Sequence, residues 1–362
     1  MLMNSKIQIS CSDARNRKAV DGYVQVERDL RERDARGIGG VSPDFQCVFA
    51  LLFGSILSEE DRRVQVGPRV IYGGPGQDEL TCESESAVSD PSSESHYLVP
   101  RHGPGATADR RFGNQKFLGS DWTVRLDRVF PIADYLIPNW KHFDHLSEVS
   151  GADLVTPAQE VPVKVTLVPK TLKTLRIIAE EPTAVMYMQQ AFWRDLSDLW
   201  KKDDLLSQFV TFHDQIPNRE MAQEGSLSGE LATLDLSEAS DRVSNSLVRD
   251  LFSRWPSMAE ALDATRSRRA NVPGYGVRRL AKFASMGSAM CFPVETMVFL
   301  AIIFLSVEQQ QARPLRRSDI RQFIGSVRVF GDDIIVPVDL VPSVVANLES
   351  FGFKVNASKS FW

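Results

Sequence analysis

The fold is decided by residues 327–338, VRVFGDDIIVPV, in which two β-branched runs are joined through Gly331, Asp332 and Asp333. Strand-forming residues on both sides of a short connection that contains Gly and Asp predict a β-hairpin. Both carboxylates then lie at the hairpin tip. Asp is also an ordinary turn residue. The hairpin alone therefore leaves two interpretations open, a turn built from acids or a pair of ligands for a cation.

A third acid ends another predicted strand. Residues 231–236, LATLDL, form a short apolar run in which Asp235 is the next-to-last residue. If one sheet contains this strand and the hairpin, Asp235 converges with Asp332 and Asp333. Clustered carboxylates repel each other, and hard cations such as Mg²⁺ relieve that repulsion. The alternative is that Asp235 caps a helix.

The remaining patterns of the second half alternate between helix and strand. Ser240 and Asp241 offer a helix N-cap before an apolar repeat at helical spacing. A long and mostly apolar helix is predicted to accommodate Pro293 in its early part. Near the N-terminus, dense charges of both signs predict a helix with a solvated face. The predicted helices are 12–36, 243–252, 287–306 and 341–351, and a strand is predicted at 354–355.

Composition indicates a globular protein with two or three packed units, since 43% of the 362 residues are hydrophobic and 25% are charged. The net charge of −5 excludes a uniformly basic nucleic-acid binder but not a local basic channel. The four cysteines form no CxxC pair, which favours a reducing cytoplasm over a disulfide framework. The N-terminus does not resemble a signal peptide, and the apolar stretch 297–305 is shorter than the ~20 residues of a membrane span.

Local charge is uneven. Residues 73–95 are rich in Gly, Ser and acids and contain no Lys or Arg, which predicts a loop or linker. Basic residues gather at 164–176, 266–282 and 313–328. These clusters either line one phosphate-binding channel or form separate solvated surfaces.

Seven segments follow one another along the chain: RHGPGAT (101–107), PKTLKTLRIIAEEP (169–182), DQIPNREMAQEGS (214–226), GELATLDLSEASD (229–241), FASMGSAMCFPVET (283–296), VFGDDIIVP (329–337) and NASKSF (356–361). In this order they resemble a fingers segment, motif F, the lead-in to motif A, and motifs A, B, C and D of viral RNA-directed RNA polymerases. The closest likeness is to the replicase β-subunit of positive-strand RNA bacteriophages, the levivirus group, and it extends from about residue 100 to the end.

The resemblance implies an α+β fold of the right-hand polymerase type, with fingers and a palm whose antiparallel sheet packs on helices. Residues 1–100 would be an N-terminal region, possibly part of the fingers, 101–230 the fingers with motif F, and 231–362 the palm with motifs A to D. The chain ends at Trp362, directly after motif D. Motif E and the thumb are therefore expected to be absent.

The resemblance also implies residue roles. Asp235 and Asp332 would bridge two Mg²⁺ ions, for which Mn²⁺ is a possible substitute, and Asp333 would be an auxiliary ligand. These three acids would be the catalytic residues. Three cations would hold the nucleotide triphosphate, namely Lys170, Lys173 and Arg176.

Four more positions are implied to act on the nucleotide. Ser285 and Gly287 open the motif B helix, and Asp241 together with Ser285 would lie near the ribose 2′-hydroxyl. Lys359 would protonate the pyrophosphate.

The implied function is that of an RNA-directed RNA polymerase, a nucleotidyltransferase that replicates phage genomic RNA in the cytoplasm of the infected bacterium. Its partners would be RNA template and product, ribonucleoside triphosphates and the host elongation factors Tu and Ts, with no membrane. One alternative is a reverse transcriptase-like palm enzyme, against which polar Ser240 and Asp241 argue. The other is a truncated, non-catalytic RNA-binding remnant.

Overall fold

Helices and strands alternate along the chain. The computed structural model describes residues 12–38, 40–66, 98–117, 121–136, 154–169 and 175–362. The helices are α1 (Asp13–Ala35), α2 (Pro43–Val66), α3 (Val124–Val129), α4 (Ile132–Tyr135), α5 (Thr183–Lys202), α6 (Leu206–Phe209), α7 (Ile216–Ser228), α8 (Ala239–Arg242), α9 (Asn245–Leu251), α10 (Pro256–Thr265), α11 (Cys291–Gln311), α12 (Arg317–Arg321) and α13 (Val341–Ser350). The strands are β1 (Trp122–Thr123), β2 (Leu154–Val155), β3 (Val163–Pro169), β4 (Leu175–Glu180), β5 (Leu231–Leu234), β6 (Leu236–Ser237), β7 (Arg269–Val272), β8 (Gly276–Arg279), β9 (Arg328–Phe330), β10 (Asp333–Pro337) and β11 (Lys354–Val355). The loop predicted at 73–95 lies outside the described residues.

An antiparallel sheet with the strand order β5-β10-β9 holds the predicted hairpin. Phe330 pairs with Asp333, so Gly331 and Asp332 form a two-residue connection. Gly331 has φ +63°, and two-residue hairpin loops take Gly where φ is positive. The strand predicted at 354–355 is also present, and β11 pairs with β6. The sequence interpretation of these strands is confirmed.

A second sheet carries motif F. Its order is β4-β3-β7-β8, with β3 antiparallel to β4 and parallel to β7. Helix α1 packs on this sheet through Val20 and Tyr23, which form a hydrophobic cluster with Val163, Val165 and Ala179. Strand β4, within the described part of motif F, thus lies in a sheet that has one face covered by the N-terminal helix.

Helix α11 is the centre of the main hydrophobic core. It begins at Cys291, four residues later than the helix predicted from position 287, because the segment before it contains Gly287 at φ +126°. Pro293 lies in the first turn, where its missing N–H has no helical partner to lose. The helix is long and apolar enough to span a membrane by composition, but 89% of its most apolar window is buried inside the protein. It is therefore a core helix.

The predicted N-cap at Ser240 and Asp241 is wrong. These residues belong to the single turn α8, which follows Glu238 at φ +56° and ends at Arg242. The cap of α9 is Ser244, whose hydroxyl accepts a hydrogen bond from the Leu247 N–H. A Ser three residues before the first apolar position satisfies the same capping rule. The sequence thus contained two candidate caps, and the later one is used.

Helix α1 is present as predicted, but it is more than a solvated element. One face is exposed, and the opposite face is buried through the residues Val20, Tyr23, Val26, Glu27 and Leu30. Their spacing of three to four residues is that of one helical stripe. The buried stripe was not predicted from the sequence, because charged residues dominate this segment.

One hydrophobic core crosses the boundaries predicted for the three regions. It runs from Phe45 in α2 to Phe353 after α13, and α2 packs against α5, α10 and α11. The architecture is a mixture of helices and mainly antiparallel sheets, which confirms the α+β class. The division into fingers and palm stays a prediction.

Candidate active site

The sheet register brings the three predicted catalytic acids to the same end of the sheet, where β5 ends and β10 begins. Leu234, the last residue of β5, pairs with Ile334 on β10. Because the strands are antiparallel, Asp235 follows this pair on one strand and Asp333 precedes it on the other, with Asp332 next in the turn. Both residues of the hairpin pair are exposed. The alternative of a helix-capping Asp235 does not apply, since this residue lies between β5 and β6.

Asp235 is held by the motif D segment. Its carboxylate Oδ2 accepts a hydrogen bond from Asn356 Nδ2 at 3.1 Å and lies 3.5 Å from Lys359 Nζ. Its backbone N–H donates to the Ser360 hydroxyl at 3.0 Å. Lys359 is 63% exposed. Lys359, which is predicted to protonate the pyrophosphate, therefore lies beside the carboxylate of Asp235 in motif A.

The acids suit a hard cation by chemistry, because carboxylate oxygens are the preferred ligands of Mg²⁺. Within the described ranges, no group of three or more His, Cys, Asp or Glu residues is arranged to hold a metal ion. The Asp235 carboxylate is engaged by Asn356 and Lys359. Metal binding stays a prediction.

Behind the acids lies a buried carboxyl that the sequence interpretation missed. Glu295 on α11 is 3% exposed, and one of its carboxyl oxygens has no hydrogen-bond partner. Burial raises the pKa of Glu295 to about 8; the hydroxyl of Ser240 opposes this rise, and the charges of Asp332 and Asp241 add to it. A single Glu within a long apolar run was the signal for this residue. This carboxyl lies beneath the hairpin, since a Cβ added at Gly331 would lie 3.1 Å from Glu295 Oε1.

The two residues predicted to lie near the ribose, Asp241 and Ser285, are linked through a buried lysine and Tyr23. Lys282 Nζ lies 3.0 Å from Asp241 Oδ1, and the Ser285 hydroxyl is bonded to the hydroxyl of Tyr23 at 2.8 Å. Lys282 is completely buried. The sequence placed Lys282 only in the basic cluster 266–282 and gave Tyr23 no role, because no local pattern pairs either residue with Asp241 or Ser285.

Motif F contacts motif B directly. The Ala179 N–H on β4 donates to the Met286 carbonyl at 2.7 Å, next to Gly287. Arg176 lies on the same strand and is exposed. Lys170 and Lys173 lie outside the described residues. The structure thus connects the strand of Arg176 to the loop of Ser285 and Gly287.

Three arginines of the basic cluster at 313–328 are paired with other residues of the chain. In the 313–328 cluster, Arg313 is paired with Asp319 at 2.8 Å, and Arg317 lies 3.3 Å from Asp203. Arg328 is buried and bonded to neighbouring side chains. These three guanidinium groups are engaged within the fold, whereas the 164–176 and 266–282 clusters have strands in one sheet, β4-β3-β7-β8. A channel shared by all three clusters stays a prediction.

Glu181, at the end of motif F, is a second buried acid. It is 3% exposed and accepts a hydrogen bond from the Ser267 hydroxyl. Burial raises the pKa of Glu181 from 4.5 to about 7, although hydrogen bonds from Ser267 and Gln189 and the charges of Arg266 and Arg125 oppose that rise. The folded chain therefore keeps this proton to a higher pH than the unfolded chain.

This proton makes stability depend on pH. Between pH 4.5 and about 7 the folded state binds more protons at Glu181, so the free energy of unfolding falls as pH rises through that window. Glu181→Gln cannot ionise, so stability relative to wild type should shift in favour of the variant by up to about 3 kcal/mol over the window. Urea unfolding of both proteins at about pH 5 and pH 8 measures the shift. A difference that stays constant with pH would contradict it.

The sequence model of the family described as "RNA replicase, beta-chain" matches residues 145–362. The match covers more than half of the chain. The chain belongs to the RNA replicase β-chain family, which confirms the resemblance stated above.

Curated relatives come from RNA phages. The RNA-directed RNA polymerase β chain of Escherichia phage MS2 is 34% identical over 194 residues, 54% of this chain and 32% of the relative. The β subunit of Qbeta virus (strain MX1) is 35% identical over 202 residues, 55% and 31% of the two chains. For Enterobacteria phage SP the values are 32% over 247 residues, 62% and 38%. The chain thus spans about a third of the length of these relatives.

Solved structures that resemble the fold are also viral. The RNA-dependent RNA polymerase of a human picorbirnavirus has a TM-score of 0.40 at 14% identity and covers 55% of this chain and 40% of its own. The BmCPV polymerase at the elongation state has a TM-score of 0.38 at 15% identity, with coverage of 54% and 20%. Similarities at this level are too low to support a conclusion.

Proposed function

We propose that this chain is an RNA-directed RNA polymerase that joins ribonucleotides on an RNA template during phage genome replication. One observation carries the proposal. The register of β5 against β10 puts Asp235 beside the Asp332–Asp333 hairpin in a chain of the replicase β-chain family. Its curated relatives are named RNA-directed RNA polymerases.

Three acids are the metal ligands of this proposal. Asp235 and Asp332 hold two divalent cations, Mg²⁺ with Mn²⁺ as a substitute, and Asp333 is an auxiliary ligand. When bound, such cations lower the pKa of an attacking hydroxyl and neutralise phosphate charge. The exposed position of the two hairpin acids at a sheet edge supports this assignment.

The reaction is an in-line displacement at the α-phosphate. The RNA 3′-hydroxyl gives its proton to water and forms the new oxygen–phosphorus bond, while the bond between the α-phosphorus and the oxygen that bridges to the β-phosphate breaks and pyrophosphate leaves. Arg176, with Lys170 and Lys173, stabilises the triphosphate charge. Lys359 donates a proton to the departing pyrophosphate, and its position beside Asp235 supports this role.

Ribonucleotides are the proposed substrates. Asp241 and Ser285 lie near the ribose 2′-hydroxyl, which distinguishes RNA from DNA precursors. Polar Ser240 lies on the same helical turn as Asp241. A reverse transcriptase-like enzyme would need a bulky group there to exclude the hydroxyl.

Membership of the family also supports an assignment of regions, partners and location. We assign 101–230 to the fingers and 231–362 to the palm. RNA template, RNA product and nucleoside triphosphates are the partners, and the host factors Tu and Ts stay a prediction. The curated relatives come from phages that infect bacteria, which supports a location in the cytoplasm of the infected cell.

Metal removal tests the activity. The chain is incubated with a C-rich RNA template and labelled GTP in Mg²⁺, with and without bacterial extract. We expect incorporation that EDTA abolishes and that added Mg²⁺ restores, because the carboxylates and the triphosphate are both negatively charged and repel each other without divalent cations.

Other outcomes point to the alternatives. Template binding that weakens with salt but gives no Mg²⁺-dependent product, with or without extract, would contradict polymerase activity and indicate an RNA-binding remnant. In a parallel assay on an A-rich template, incorporation of dTTP in preference to UTP would indicate a reverse transcriptase-like enzyme.

A further inference from the structure

Helix α1 reaches the ribose-binding part of the proposed site, although the family match begins only at residue 145. Its buried stripe places Tyr23, 3% exposed, and Glu27, 5% exposed, against the segment that leads into motif B. Glu27 Oε2 accepts a hydrogen bond from the Ala281 N–H at 2.6 Å. Residues from opposite parts of the chain thus share one buried polar cluster.

Lys282 is the centre of this cluster. Its Nζ lies 3.0 Å from Asp241 Oδ1, 3.4 Å from Glu27 Oε1 and 3.5 Å from the centre of the Tyr23 ring. Burial alone would lower the pKa of Lys282, but the charges of Asp241, Tyr23 and Glu27 raise it above its usual value. A buried ammonium that lost these partners would be strongly destabilising. The lysine therefore fixes Asp241 relative to α1.

Tyr23 also acts on Ser285 directly. The two hydroxyl oxygens are 2.8 Å apart, and either one can donate. A hydroxyl has one donor and two acceptor positions. If Tyr23 donates, the Ser285 proton is free for a ligand oxygen; if Ser285 donates, its lone pairs are free for a ligand hydroxyl. In both cases Tyr23 orients the group that would meet the sugar.

We propose that Tyr23 and Glu27 are positioning residues for ribose recognition, Tyr23 through the Ser285 hydroxyl and Glu27 through Lys282 and Asp241. This inference rests on the proposed function. It assigns to the N-terminal helix a share in the selection of ribonucleotides over 2′-deoxynucleotides. The ligand group is the 2′-hydroxyl, for which Asp241 is an acceptor and Ser285 a donor or acceptor.

Tyr23→Phe tests the role of Tyr23, which acts through the Ser285 hydroxyl. It removes the hydroxyl and keeps the ring over Lys282. We expect the KM for a ribonucleoside triphosphate to rise about 2- to 10-fold, the range for one lost hydrogen bond. The KM for the 2′-deoxy analogue and kcat should change little. The measured quantity is the ratio of kcat/KM for UTP and dUTP on one template in the 362-residue chain.

Tyr275→Phe is the matched control. It removes another tyrosine hydroxyl that donates to α1, at Asp21 Oδ1 over 2.7 Å, on the exposed side of the helix. This variant should keep the wild-type ratio. Melting temperatures of both variants separate a loss of structure from a loss of selection.

Two further variants complete the test. Tyr23→Phe in a Ser285→Ala background should produce no additional change, because the effect of Tyr23 passes through Ser285. Glu27→Gln tests the contact that runs through Lys282 to Asp241. Like Tyr23→Phe, it should lower the ratio of kcat/KM for UTP to that for dUTP. It also provides a reading if Tyr23→Phe does not fold.

The outcomes separate the two proposals. If wild type prefers ribonucleotides and both Tyr23→Phe and Glu27→Gln retain the full preference, the positioning role is overturned and the polymerase assignment stands. If wild type incorporates no ribonucleotide under any condition, both are overturned.

Discussion

Asp332→Asn should lower ribonucleotide incorporation by about 10³-fold or more. Asn has the size of Asp, but it replaces one oxygen ligand by an amide and removes the negative charge. A metal centre contributes several kcal/mol to charge stabilisation in the transition state, and about 1.4 kcal/mol corresponds to a tenfold change in rate. Asp332 is exposed, so the substitution should leave the fold intact. The incorporation assay in Mg²⁺ measures the loss.

Asp339→Asn is the matched control. Asp339 is an exposed acid in the short turn Val338–Leu340, which follows the other end of β10. Asp339→Asn exchanges a carboxylate for an amide, as Asp332→Asn does, but Asp339 is not a predicted metal ligand. Wild-type activity is expected for it. If Asp332→Asn also retained near wild-type activity, the assignment of the metal ligands would be wrong.

The strands of this site could be predicted because their signals are local. Residues 327–338 contain two β-branched runs on either side of Gly331 and its neighbouring acids, which is a local signal for a hairpin. The apolar run before Asp235 was equally clear, and β5 ends at Leu234. The convergence of the two was a hypothesis, since no local pattern encodes which strands pair. The register that puts Leu234 opposite Ile334 is a property of the folded chain.

The boundary of α9 shows where local rules fail. Ser240 with Asp241 and Ser244 are both good caps before the same apolar repeat. Glu238 has a left-handed backbone, and α8 ends at Arg242, so the chain turns twice before the helix begins. That geometry follows from packing and from the salt bridge of Arg242 with Glu238. The capping rule alone could not choose between the two serines.

The buried charges could not be predicted for a different reason. Glu27 is one acid in a segment of dense mixed charge, and its partner Lys282 lies 255 positions later in the chain. Nothing in either neighbourhood marks them as a pair. A helix with so many charged residues is normally solvated on most of its surface. Only the fold shows that one stripe of α1 is buried against motifs A and B.

Gly287→Ala should destabilise the chain by about 4 kcal/mol, the sum of backbone strain and overpacking. Gly287 has φ +126°, a conformation that residues with a Cβ rarely adopt. An added Cβ would lie 2.2 Å from the carbonyl oxygen of Ala179. The obstacle is backbone in the interior of β4, so the loop of motif B and the strand of motif F must separate. Denaturant unfolding measures the loss of stability.

The separation should also lower activity by about 10²-fold where the chain still folds, because β4 carries Arg176 and a displacement of ~1 Å at a reacting group has a cost of this size. Gly274→Ala is the control. Gly274 also has a positive φ, +77°, but its added Cβ meets nothing within 4 Å, so only a backbone cost of about 1 kcal/mol is expected. If both variants unfolded at the same denaturant concentration, the contact between Gly287 and Ala179 would not hold motif F against motif B. Arg176 would then need another support.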